Sequence, residues 1–144
     1  MDQTENKISN QAQAIQHFIE RMDIEMIDAF LDNDKTYQDL KKDKFISQLQ
    51  LTFAQFKDLG DTHLFSVEGS CNSCDKTKTG FTFIGNISKN YMSIVFDTAD
   101  NKINELHECS DFKNKQTNLN LKKRIYIIPL PNLRDFQDFS DLPL

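Results

Sequence analysis

The chain has 144 residues, the length of one ordinary domain. A chain of that size buries roughly 68–70% of its unfolded surface, so it needs neither a metal nor a disulfide to fold. With 17 Lys and Arg against 22 Asp and Glu the formal charge is −5, and such a surface repels phosphate backbones, which excludes nucleic acid as the expected partner. No apolar run approaches ~20 residues, so no membrane span is expected. The start, Met1-Asp2-Gln3-Thr4-Glu5-Asn6-Lys7, lacks the basic-then-apolar pattern of a secretion signal. Three cysteines, an odd count, fit a reducing compartment better than a disulfide framework, so a cytoplasmic location is expected.

Residues 1–7 are polar and expected to be disordered. From Ile8 the apolar positions Ala12, Ile15, Ile19, Met22, Met26 and Phe30 recur at steps of three and four, predicting a deeply buried helix that Asp32-Asn33-Asp34 stops. Thr36-Tyr37 suits a short strand. A second helix begins near Asp43, turns Phe45, Ile46, Leu49, Phe53 and Phe56 inward, and ends at Gly60, where a left-handed residue is wanted.

After Gly60 the period becomes two. Phe65, Val67, Gly69 and Cys71 share one strand face, Phe81, Phe83 and Gly85 the next, and Met92, Ile94 and Phe96 the third. Thr98-Ala99-Asp100-Asn101 reads as a four-residue hairpin loop leading into a last strand, Lys102–Ser110. Pairing Asp97 with Lys102 sets Phe96 opposite Ile103, Ile94 opposite Glu105 and Met92 opposite His107. That register draws Glu105 and His107 onto the apolar inner surface, where polar groups need partners or a ligand. Lys113 to Arg124 carries five basic residues and no acid, and reads as a solvated linker. Ile125–Ile128 suits an apolar edge strand that Pro129 and Pro131 end. In the tail, Leu133, Phe136, Phe139 and Leu142 lie three apart with Asp135, Asp138 and Asp141 between them, the pattern of an amphipathic helical turn or two. An exposed edge there would invite a partner chain, unless the tail folds back over its own body.

Helix, short strand, helix, then a meander running from Thr79-Gly80-Phe81 through Asp100-Asn101-Lys102-Ile103-Asn104-Glu105-Leu106 to Asp111 resembles the nuclear-transport-factor-2-like superfamily, which includes SnoaL-like cyclases and ketosteroid isomerases. Asn101 stands where that family often has Gly; Asn tolerates positive φ nearly as well. The resemblance covers residues 8–112 and leaves 113–144 as basic linker, edge strand and tail. It implies an α+β domain, a cone-like curved antiparallel sheet with the N-terminal helices on its concave face, and commonly a dimer formed through the sheet. It also implies a pocket between helices and sheet; Met22, Met26, Tyr37, Phe45, Leu49, Phe53, Phe83, Met92, Ile94, Phe96 and Ile103 are the expected lining. The family holds enzymes and binding proteins alike, so the fold alone does not choose between them.

Three functional classes stay open. Few polar groups converge among the inward Phe, Met and Ile residues, which points to non-catalytic binding of a small, mainly apolar ligand or a partner, with no cofactor. Glu105 and His107, two apart on one strand and so ~6.6–7 Å between Cα atoms, suit a general acid–base couple for an isomerase, dehydratase or cyclase, with Tyr37 as a hydrogen-bond donor. Cys71, Cys74, His107 and Cys109 form the donor set of a Cys3His zinc site, or the thiols of an exchange site. Against zinc, a simple meander sets Cys71 and Cys109 three strands, ~14 Å, apart, so one chain cannot close that site unless the strand order differs, whereas a dimer could. His17 and His63 read as boundary residues.

Overall fold

A computed structural model describes residues 10–71, 79–100, 102–109, 111–116 and 118–127. Helices α1 (Gln11–Glu20) and α2 (Ile24–Phe30) come first, followed by a short hairpin, β1 (Thr36–Tyr37) and β2 (Leu40–Lys41), and helix α3 (Lys42–Asp58). Strands β3 (Leu64–Cys71), β4 (Thr79–Gly85), β5 (Tyr91–Ala99), β6 (Lys102–Glu108) and β7 (Phe112–Asn114) complete the described chain. The five long-range strands form one antiparallel sheet in the order β6-β5-β4-β3-β7, so the architecture is α+β. No helix among the described residues is long and apolar enough to cross a membrane.

The periodicity that reads as one rod up to Phe30 is divided in two. Met22 takes φ 55°, which no right-handed helix can continue, and Asp23 restarts the helix by accepting a hydrogen bond from the Met26 amide at 3.3 Å. The side-chain spacing survives the break: Ile15, Phe18, Ile19, Met22 and Ile27 all remain in the core. Helix α3 starts one residue before Asp43, buries Phe45, Leu49, Phe53 and Phe56, and is followed by Gly60 at φ 96°, the left-handed stop its sequence requires. These helical residues pack with Leu64, Phe83, Met92, Ile94, Phe96, Ile103 and Leu106 in one apolar cluster, so the main core lies between the helices and one sheet face.

Antiparallel partners share a face, which fixes where every strand residue points. The β5–β6 hairpin is tighter than expected: Ala99 pairs with Lys102, and Asp100 sits at φ 55°. A β-bulge between Asp97 and Thr98 then shifts the ladder, so that Thr98 opposes Ile103 but Asp97 opposes Glu105. Beyond the bulge Phe96 opposes Leu106, Val95 opposes His107 and Ile94 opposes Glu108. The expected register was therefore wrong. Glu105 and His107 lie on the Val95 and Asp97 face, away from Met92, Ile94 and Phe96. The turn is two residues shorter than expected, which preserves parity; the single bulged residue then moves Glu105 and His107, though not Ile103, to the other face.

Part of the face away from the helices is covered by the chain's own return. After β6, strand β7 pairs with β3 through Gly69–Asn114, Ser70–Lys113 and Cys71–Phe112, and the Phe112 ring lies over that face. The Phe112 ring needs bare backbone beneath it: a Cβ on Gly69 would lie 2.5 Å from that ring, and one on Gly80 2.7 Å. Thr82 and Ser93, both buried there, hydrogen-bond each other at 2.8 Å, and Thr82 also donates to Asn114 Oδ1 at 2.6 Å. Residues 113–124 are thus not wholly a linker. Nor is the next stretch an exposed edge strand. Arg124 bridges Tyr91 in parallel, and Ile125 and Ile127 are buried in the main core. The free side of β6 is likewise occupied: the Ile103 amide donates to Gln11 Oε1, and the Glu108 amide to Gln38 Oε1, each at 2.6 Å.

Candidate functional site

The cysteines give the largest departure from expectation. Cys71 and Cys109 form a disulfide with Cα atoms 5.9 Å apart, against the ~14 Å that a flat meander allows. Cys71 ends β3 on the Gly69 face, and Cys109 follows β6 on the Val95 face, so both point away from the helices. They sit at 3% exposure beside Val95 and Phe112 in a second small core. Bending of the sheet toward that face closes the gap. Flat-ladder spacing missed it because it ignores twist and curl. The bond removes the zinc set as drawn, since two of its thiolates are spent on each other, and the Cys71–Cys74 exchange pair loses its first thiol in the same way. Cys74 lies outside the described residues. Among those described, no group of three or more His, Cys, Asp or Glu is placed to hold a metal ion.

The acid–base couple stays together but on the other side of the sheet. Glu105 and His107 share a face and are partly buried, but it is not the helix-facing side. Tyr37 is fully buried, with its hydroxyl oxygen accepting from the Asp32 amide at 3.0 Å. Burial pushes the Tyr37 phenol above the usual tyrosine range, the Asp32 amide opposes that shift, and the Asp32 and Asp34 carboxylates reinforce it. A neutral phenol held this way anchors the loop before β1.

Of the expected pocket lining, Met22, Tyr37, Phe45, Leu49, Phe53, Phe83, Met92, Ile94, Phe96 and Ile103 are buried together in the main core. Met26 lies at its margin and lines a cleft of about 570 Å³ beside α1, with His17, Arg21 and Asp23. His63 bonds Thr62 Oγ1 through Nδ1 at 3.2 Å near the end of α3.

A different cleft combines apolar and cationic groups. It holds about 580 Å³ between the end of α3 and the returning segment 123–126, and is lined by Gln55, Asp58, Leu59, Asn90, Lys123, Arg124, Ile125 and Tyr126. Helical spacing aligns Leu51, Gln55 and Leu59 on the outer side of α3, where Leu51 and Leu59 are 58% and 47% exposed. Tyr126 is 52% exposed and lies under the Arg124 guanidinium, 4.8 Å from ring centroid to Cζ. The Arg124 side chain donates through Nη2 to the Cys109 carbonyl, while its Nε is buried without a hydrogen-bond partner among the described residues. Lys123 is exposed, held by its amide donating to Asn90 Oδ1 at 3.2 Å. The sequence carried the ingredients, an apolar run after a basic one, but nothing in it placed that run against α3.

No protein-family model, no curated protein and no solved structure matches this chain. What the fold and site define is a class: an α+β protein with a disulfide in its sheet and a surface cleft lined by apolar, basic and polar side chains.

Proposed function

We propose that this chain is a non-catalytic binding domain whose ligand is an amphipathic acid, an apolar body carrying a carboxylate, seated between α3 and residues 123–126. The observation that carries this is the cleft's chemistry. Leu59 and Tyr126 offer exposed apolar surface, and Lys123 and Arg124 line the same cleft, with one buried Arg124 N–H lacking an acceptor among the described residues. An arginine donor in partly dry surroundings rewards an ionised acceptor more than a neutral one. Asp58 on the rim opposes a second negative charge, which favours a monoanion. The helix–hairpin–helix–meander order supports a nuclear-transport-factor-2-like frame. The corner held by the disulfide departs from that family's cone, because its curvature runs toward the face away from the helices.

The disulfide also supports an oxidising compartment rather than the cytoplasm, because cytosolic thiol systems keep such pairs reduced. The odd cysteine count points the other way, to a reducing compartment, but it is compatible with a single Cys71–Cys109 pair.

Calorimetric titration with dodecanoate and with dodecanol, below their micelle and solubility limits, tests the ligand class. The acid should bind at least ~10-fold more tightly than the alcohol, equivalent to about 1.4 kcal/mol. Lys123→Gln should narrow that difference. Equal binding of acid and alcohol, or binding of neither even after 128–144 is released from the body, would overturn the assignment.

A further inference from the structure

Apolar clefts on a soluble surface do not stay bare, and this chain carries a segment suited to covering its own. We infer that the resting occupant of the α3 cleft is the chain's own segment 128–144, an internal competitor for the ligand; the inference deepens the ligand reading above and rests on the same site.

Position makes the first argument. Ile127 is 2% exposed in the core, and its neighbour Tyr126 lines the cleft, so the segment begins at the cleft's rim. The structure already shows this return folding onto its own body, through the Arg124–Tyr91 bridge and buried Ile125. Reach makes the second. Leu51 to Leu59 spans about 12 Å along α3, and Leu133 to Leu142 would span about 13.5 Å as helix with its apolar residues over one half of the surface, so the two apolar faces would be of similar length. The five residues 128–132 extend at most about 17 Å, enough to carry the row from the rim to α3.

Charge makes the third. Asp135, Asp138 and Asp141 alternate with Leu133, Phe136, Phe139 and Leu142, and the cleft presents Lys123 and Arg124. A segment bearing aromatic rings and carboxylates has the chemistry assigned to the ligand. Tethering lowers the affinity required. A short link gives an effective concentration on the order of millimolar, so an intrinsic dissociation constant of ~0.1 mM would keep the segment docked about 90% of the time.

Arg134 supplies the test. An arginine-specific protease is added to the full chain and to a synthetic peptide of residues 128–144, and mass spectrometry follows cleavage of the Arg134–Asp135 bond alone. Docking predicts cleavage about 10-fold slower in the full chain, independent of protein concentration. Leu59→Asp, at an exposed helix position, should restore the peptide rate while circular dichroism stays unchanged. Cleavage of the unmutated chain at the peptide rate overturns the inference. Protection lost on dilution overturns it in favour of a second copy, and protection indifferent to Leu59→Asp places the segment elsewhere. The two proposals fail separately: Phe136→Asp with Phe139→Asp should free the cleft, and if the segment is released yet dodecanoate still does not bind, the ligand assignment falls while self-docking stands.

Discussion

Reducing the Cys71–Cys109 bond should remove much of this protein's stability. The cysteines are 38 residues apart, and the chain-entropy relation for a loop of that size gives about 13 cal/mol/K, or about 4 kcal/mol at 25 °C. Residual structure in the reduced, unfolded chain lowers that figure, so it is an upper value. Against a total of about 5–15 kcal/mol for a typical domain, the bond separates a firmly folded chain from a marginal one. Reduction leaves both sulfur atoms in place, so the effect isolates the crosslink from the packing of Val95 and Phe112 around it. The assay is urea unfolding by far-ultraviolet circular dichroism, in a Cys74→Ser chain that cannot reshuffle its disulfide, with and without reductant. With a slope of about 1–3 kcal/mol/M the midpoint should fall by about 1.3–4 M. A midpoint unmoved within ~0.3 M, with two free thiols counted after reduction, would refute the entropic reasoning. Two free thiols in the protein before reduction would refute the bond.

Two further perturbations test the packing. Gly80→Ala would put a Cβ 2.6 Å from the Ile94 carbonyl oxygen and 2.7 Å from the Phe112 ring; it should cost about 1–3 kcal/mol and lower Tm, and an unchanged Tm would mean Phe112 is not seated there. Tyr37→Phe strands the Asp32 amide and should cost about 1 kcal/mol at neutral pH. The same change alters the alkaline limb of stability. Both states keep the phenol proton below the free tyrosine value near 10, so the Tyr37 contribution is flat there. Above it the unfolded chain releases a proton that the native state, with its raised value, retains, so stability falls with pH. Denaturant titrations from pH 9 to 11 should show a shallower fall in Tyr37→Phe, and parallel curves for the two proteins would contradict the burial argument.

The local pattern of the chain determined a good deal by itself. Apolar steps of three and four marked the helices, Gly60 marked the end of α3, and alternation marked β3, β4 and β5, because side-chain burial obeys the geometry of each element. The Asp23 cap was there to be read too, but an uninterrupted apolar stripe concealed it. Tertiary structure decided what local pattern cannot encode. One bulged residue after a tight turn reversed the faces of Glu105 and His107, since a period of two has no tolerance for a shift of one. Curl across three strands joined Cys71 to Cys109, a contact set by the accumulated twist of the sheet rather than by any neighbouring residues. The cleft, too, exists only because residues 123–127 return to lie beside β5 and the end of α3, where sequence-distant Leu59, Arg124 and Tyr126 meet.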